Sequence, residues 1–235
     1  MLDLDISKVL FLDVETVSLK QDYEQLDERM KKLWDRKASH IRQHEEQSPA
    51  SLYERAGIYA EFGKIIVISV GFHNGNEFRI KSFYGDDEKM LLNDFATMLS
   101  RHYDAPDHLL CAHNGKEFDF PYISRRMLIN GIGIPPILRI AGRKPWEVRH
   151  LDTMELWKFG DYKSYTSLDL LTAIFNIPTP KDDIDGSMVG RIYWHEHDLE
   201  RIRTYCQKDV VAVAQLLRCY MQLPLLHESQ IVVAG

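Results

Sequence analysis

Four consecutive apolar residues, Val9, Leu10, Phe11 and Leu12, run without a break into Asp13-Val14-Glu15. A strand with one wet face alternates apolar and polar residues. An unbroken apolar run instead reads as a strand buried on both faces, in the interior of a sheet covered by helices on either side. The run therefore predicts an α/β architecture. The strand extends over 7–16, and its end delivers two carboxylates about 7 Å apart along the backbone. Alternation points both toward the same face. Like charges held so close are costly unless something positive lies between them. Hard Mg2+ or Mn2+, which prefers carboxylate oxygen, is the usual partner. An ordinary solvated strand end can also read Asp-x-Glu, so the rest of the chain has to decide.

The remaining pattern fills in the architecture. A second strand is predicted over 64–73, and Asn74-Gly75-Asn76 is a hairpin turn into an alternating third strand over 77–84. The intervening stretch, 19–59, is rich in charge and helix formers and reads as a helical insertion, interrupted at Ser48-Pro49. After Asp86-Asp87, the residues Leu91, Leu92, Phe95, Met98 and Leu99 repeat at helical spacing. A short strand over 108–112, a helix over 120–130 and a short segment at 148–151 follow. Helices are then predicted over 168–175, 188–195 and 199–221, with a loop through 178–186 between the first two. Three strands in a meander, then helices alternating with short strands, predict one α/β domain over 1–235. Its mixed five-stranded sheet is flanked by helices, and 222–235 forms a C-terminal tail.

Composition narrows the class. The 235 residues are 45% apolar and 27% charged with a net charge of −6, which excludes a disordered chain, a collagen-like repeat and a coiled coil. The longest uncharged apolar stretch, 65–72, falls far short of the roughly 18–20 residues of a membrane helix. No membrane partner is expected. The acidic opening residues carry no secretory or transit signal. Three cysteines without a Cys-x-x-Cys suggest a reducing, cytoplasmic setting. The ten histidines show no zinc-ligand spacing with cysteine. Charge is uneven. The segment 116–149 holds seven basic residues (Lys116, Arg125, Arg126, Arg139, Arg143, Lys144 and Arg149) against three acids. The local +4 leaves −10 for the remainder, the pattern of a basic rim beside an acidic centre.

Two further signals join Asp13 and Glu15. Asn114-Gly115-Lys116-Glu117-Phe118-Asp119 follows the 108–112 strand directly, so Asp119 opens a helix at the same kind of edge. A helix N-terminus favours an acid whatever its function. The third signal is Tyr-x-x-x-Asp. With 11 tyrosines and 20 aspartates the chain contains four such pairs, where roughly one is expected by chance, so context must choose. Tyr23/Asp27 lies in the charged insertion. Tyr103/Asp107 spans Pro106, and Tyr165 precedes its helix cap. Only Tyr205/Asp209 falls inside a long periodic helix, where i, i+4 stacks both side chains on one face.

Taken in order, these motifs resemble the three exonuclease motifs of the DEDD superfamily in its tyrosine-bearing DEDDy branch. The flanks Phe11-Leu12-Asp13-Val14-Glu15-Thr16, Ala112-His113-Asn114, Ser167-Leu168-Asp169-Leu170-Leu171 and Tyr205-Cys206-Gln207-Lys208-Asp209-Val210 resemble a polymerase-free relative of the proofreading domain of family B DNA polymerases. The run 182–189 continues the likeness. It covers roughly 7–221 and is poorest across 17–61. A histidine branch carries its histidine five residues before the last aspartate, where this chain has Thr204.

The resemblance implies an RNase H-like fold and a two-metal 3′→5′ exonuclease that releases nucleoside 5′-monophosphates from single-stranded 3′ ends, DNA first and RNA as the alternative. Carried over by position, Asp13, Glu15 and Asp209 would hold one Mg2+ or Mn2+. Asp13 would bridge to a second, with Asp119 assisting through water, and Tyr205 would orient the attacking water. Thr16, Asn114 and Phe118 match positions that contact the terminal nucleotide. Asp152 reads as an auxiliary acid or, more simply, a structural hydrogen-bond acceptor. Two other readings compete. One is a catalytically inactive nucleic-acid-binding module on the same fold. The other is an endonuclease of RNase H type, whose site does not call for a tyrosine one turn before the last acid.

Overall fold

In a computed structural model, which describes residues 4–161, 163–178 and 184–234, Val9–Ser18 (β1) lies within a six-stranded sheet. Its residues Val9 to Leu12 have no solvent exposure. The insertion follows. Glu28–Ile41 (α1) is capped by Asp27, and Pro49–Leu52 (α2) by Ser48. Ser48-Pro49 thus starts a new helical turn as well as ending the previous pattern, because proline suits the first helical position. Trp34, Ala38, Leu52, Tyr53 and Phe62 bury one another in a separate small core.

Gly63–Asn74 (β2) pairs antiparallel with β1, and Glu77–Tyr84 (β3) antiparallel with β2. Glu88–His102 (α3) then leads to Leu109–Ala112 (β4), parallel to β1 with Val9 opposite Leu109. Asp119–Ile129 (α4) follows, and then Leu151–Asp152 (β5), parallel to β4. Next come Thr153–Lys158 (α5), Leu168–Ile174 (α6), Val189–Arg191 (α7) running into a π-helical turn at Ile192–Glu196, and Leu199–Tyr220 (α8). Of the predicted loop at 178–186, residues 179–183 lie outside the described residues.

The sheet order is β5-β4-β1-β2-β3-β6, so it has six strands rather than the five expected. The sixth, Ile231–Val233 (β6), comes from the segment expected to be a tail and pairs parallel with β3. Three apolar residues are too few to show a period, so pairing with β3 defines this strand.

Alternation along β1 sends its two residue sets to different layers. Leu10, Leu12 and Val14 pack with Leu92 and Phe95 of α3 and with Phe120 and Ile123 of α4. Val9 and Phe11 pack with Val210, Val213 and Leu217 of α8. Asp13 and Glu15 continue the second set, so they emerge on the α8 side. Close approach of α8 depends on Gly71 of β2. A Cβ there would lie 2.3 Å from the Phe78 ring and 2.7 Å from Val210 Cγ1, too close without movement.

Arg126 shows where part of the basic segment goes. It is buried in α4, with Nε donating to Glu88 Oε1 at 2.8 Å and Nη1 to the Ala60 carbonyl at 2.8 Å. Glu88 also accepts the Ile65 amide and the Asn130 side chain, which ties α3, α4 and β2 together. Removing one member of such a pair strands a buried charge. Arg126→Leu is therefore expected to destabilise the fold by about 3–5 kcal/mol. Urea unfolding of parent and variant checks this, and a loss below about 1 kcal/mol contradicts the network's role.

Candidate active site

The site forms where β1 outruns its parallel neighbour. β4 pairs with β1 only as far as Phe11, whereas β2 continues alongside, with Asp13 opposite Ser69 and Glu15 opposite Val67. Register shifts between Glu15 and Thr16, the kind of irregularity that re-aims a side chain at a sheet rim. Ligand atoms of Asp13, Glu15 and Cys206 all lie within 4.8 Å of one another.

Helix α8 brings the second contribution. Ile202, Cys206, Val210 and Val213 form its buried stripe at spacings of four and three. Tyr205 and Asp209 ride together on the shoulder of that stripe, half-buried, and share a side-chain hydrogen bond. Thr204, at the position of the histidine branch, is exposed and donates to the Glu200 carbonyl.

The third contribution is the turn after β4. Asn114 takes a left-handed conformation, φ 62°, which asparagine tolerates better than most residues. Its amide donates to Asp152 Oδ1 at 2.9 Å, and the Lys116 amide to Asp152 Oδ2 at 3.1 Å. Asp152 also caps α5 through the amides of Met154 and Glu155. It is a buried acceptor whose carboxylate fixes a turn. The turn leads through Phe118 to Asp119, the first residue of α4 and buried. Asp119 is not the helix cap, since the cap position is Phe118 and no side chain caps it. Its carboxyl instead meets its own amide and that of Val14.

Of the sequence-predicted nucleotide-contacting residues, Thr16 and Phe118 meet through a third residue. The Tyr122 hydroxyl interacts with Thr16 and donates to the Gly57 carbonyl at 2.6 Å. The rings of Tyr122 and Phe118 lie 5.2 Å apart. Asn114 stands at the turn itself, its carbonyl accepting the Phe118 amide at 3.0 Å.

Asp119 and Asp209 stand outside the close group of Asp13, Glu15 and Cys206, but their charges reach it. Burial, then the charges of Asp13, Asp209 and Asp119, hold the Glu15 carboxyl well above its usual range. Burial, then the charge of Asp13, does the same to Asp119. Asp13 is pushed up to about 6 by burial, against hydrogen bonds from Cys206 and the Val14 amide. Burial, then Asp209, Glu15 and Asp13, raise the Tyr205 hydroxyl, which therefore stays protonated.

The donor set fits hard divalent cations. Asp13 Oδ2 is buried with no hydrogen-bond partner among the described residues, an orphan that an ion would satisfy. The Cys206 thiol does not fit such an ion. Burial, then the charges of Asp13 and Glu15, hold it protonated, and it donates to the Asp13 carbonyl at 3.4 Å. Cys206 was not foreseen from sequence, and neither was the polar relay behind it. Gln207 Nε2 donates to Ser82 Oγ at 2.8 Å, Ser82 bonds Ser69 Oγ at 2.9 Å, and Ser69 bonds the Cys206 thiol. Ser69, a lone hydroxyl inside the apolar run of β2, was the available signal.

The sheet order and the acidic edge define an RNase H-like α/β domain. The fold is similar to that of the family B DNA polymerase from the hyperthermophilic archaeon Pyrobaculum calidifontis, at 15% identity and a TM-score of 0.52. The match covers 91% of this chain and 24% of the polymerase, so the chain spans about a quarter of that protein's length. The chain belongs to the family described as predicted 3′-5′ exonucleases related to the exonuclease domain of PolB, whose model matches residues 58–227. Asp119, Tyr205 and Asp209 lie inside the matched range, and Asp13 and Glu15 precede it.

The acidic crowding has a pH signature. The folded chain retains a proton on Asp13 up to about pH 6, whereas the unfolded chain releases it near the ordinary value of 3.8. This contribution to metal-free stability is full below about pH 4 and is lost as the pH rises through about 6. In EDTA, Asp13→Asn is expected to exceed the parent in stability at pH 8 by about 2–3 kcal/mol, and to match it near pH 4. Thermal unfolding at both pH values checks this. A variant less stable at pH 8 would contradict a dry acidic cluster.

Proposed function

We propose that the chain is a divalent-metal-dependent 3′→5′ exonuclease acting on single-stranded nucleic-acid ends, DNA in the first instance, and releasing nucleoside 5′-monophosphates. The observation that carries this reading is that acids of β1, α4 and α8 act together on the buried Glu15 carboxyl, where Asp13, Asp209 and Asp119 all raise its proton affinity. Evolution could have neutralised such crowding with arginine or lysine. Leaving it acidic, with an orphaned Asp13 oxygen, favours a cation as the missing partner.

In this reading Asp13, Glu15, Asp119 and Asp209 would hold two Mg2+ or Mn2+ ions. When bound, the ions supply charge to neutralise a phosphodiester and make water acidic enough to attack at neutral pH. The four carboxylates alone would repel a phosphate, so substrate binding depends on the cations. Tyr205 keeps its hydroxyl proton and, steadied by Asp209, orients the attacking water by hydrogen bond. The Asp13 carbonyl and carboxyl are steadied by the Cys206 thiol, which links β1 to α8. Phe118 meets the terminal nucleotide by its apolar ring, with Thr16 and Asn114 providing polar contacts beside it.

The decisive experiment is a time course on 5′-labelled single-stranded DNA and RNA with Mg2+, Mn2+ or EDTA. A ladder shrinking from the 3′ side only with metal is expected. Asp13→Ala and Asp209→Ala are each expected to abolish release, and Tyr205→Phe to slow it about 100-fold. Retained activity in either aspartate variant, or cleavage of a circular single strand, overturns the assignment.

A further inference from the structure

Four of the five arginines of the 116–149 segment turn away from the carboxylates. Arg126 is spent on Glu88, and Lys116 pairs with Glu155. Arg139, Arg143 and Arg149 instead converge on a cavity of about 340 Å3 at the far end of the strands. His108 and Leu109 line it at the beginning of β4, whereas the acidic site follows the end of β4. Leu109 is level with Val9, so Asp13 lies four residues further along β1, about 13 Å away.

The lining has the composition of a site for a small phosphorylated molecule. Among the described residues none of the three arginines pairs with a carboxylate. Arg139 Nε donates to the Ile134 carbonyl and Arg149 Nη1 to the Pro106 carbonyl, which leaves most donors of each guanidinium for a ligand. Among the described residues Asp104 is the one acid in the lining. Arg143 and Arg149 both act on buried His150, which is pushed down to about 4 chiefly by burial and stays neutral while its Nε2 bonds the Ile137 carbonyl. That bond holds the loop carrying Ile137 and Ile140, which are apolar walls of the cavity. His108 Nδ1 is buried without a partner, a polar atom in the lining left to be satisfied. The volume falls at the low end of small-ligand pockets, roughly 300–1,000 Å3. A strand of nucleic acid needs a longer groove, about four nucleotides or more.

We propose that this cavity is a second site, separate from the acidic cluster, that binds a compact phosphate monoester of the nucleoside monophosphate class: Arg139, Arg143 and Arg149 take the phosphate, and Leu109, Ile137 and Ile140 take the flat body. The site needs no divalent ion and does not depend on the exonuclease reading.

Isothermal titration of the whole chain with thymidine 5′-monophosphate in EDTA tests it. One-to-one binding is expected, with inorganic phosphate competing and thymidine failing to bind. The double variant R143Q/R149Q is expected to lose at least tenfold in affinity, while Asp13→Asn stays within twofold of the parent. The arginine side chains are exposed, and an unchanged circular dichroism spectrum and thermal transition show that the variant folds. The proposal is overturned by absent monophosphate binding, by binding indifferent to the arginines, by loss in Asp13→Asn, or by binding of a ten-nucleotide strand without the monomer.

Discussion

Crowding of like charge at the end of β1 is the constraint around which the rest of the molecule is arranged. A carboxylate on a free strand end would be solvated and ordinary. Here Asp13 and Glu15 lie on the face that α8 covers, and α8 comes close because Gly71 of β2 has no side chain. The apolar stripe of α8 anchors the helix on Val9 and Phe11, and the same helix carries Asp209 and Tyr205 toward those acids. Packing that stabilises the fold therefore imposes repulsion at the site. The large cores on both faces of the sheet are what allow the fold to tolerate it.

Orientation of the acids rests on polar groups that do no chemistry of their own. A relay from Gln207 through Ser82 and Ser69 to Cys206 joins α8, β3 and β2 to the backbone of Asp13. Asp152 does the equivalent for the third corner, holding the amides of Asn114 and Lys116 so that α4 starts with Asp119 in place. Buried polar chains of this kind fix geometry because each member loses a partner if its neighbour moves.

How much of this could be read in the sequence depended on period and length. β1 was legible because an unbroken apolar run has few homes, and Tyr205 with Asp209 because i, i+4 inside a long periodic helix has a definite geometry. β6 was not, since Ile231–Val233 is defined by pairing with β3 rather than by any pattern of its own. The π-helical turn at Ile192–Glu196 was likewise hidden within a segment that simply reads as helical. Basic residues in the 116–149 segment suggested a rim beside the acids, but local charge says nothing about direction. Arg126 turns inward, and Arg139, Arg143 and Arg149 gather at the other end of the strands. Cys206 lay in view next to Tyr205, yet its contact with Asp13 depends on how α8 sits on the sheet.

The 19–59 insertion closes on itself. Trp34 is fully buried in a cluster that the segment shares with Phe62, and its indole donates to the Pro49 carbonyl, while Gly57 packs tightly on the backbone of Val17. An excursion with a small core of its own, which meets β1 along the 53–58 turn and α4 through the Gly57 carbonyl, can change length or surface character at its outer turns without disturbing the strand beneath. Those outer turns are where an added loop would cost the rest of the molecule least.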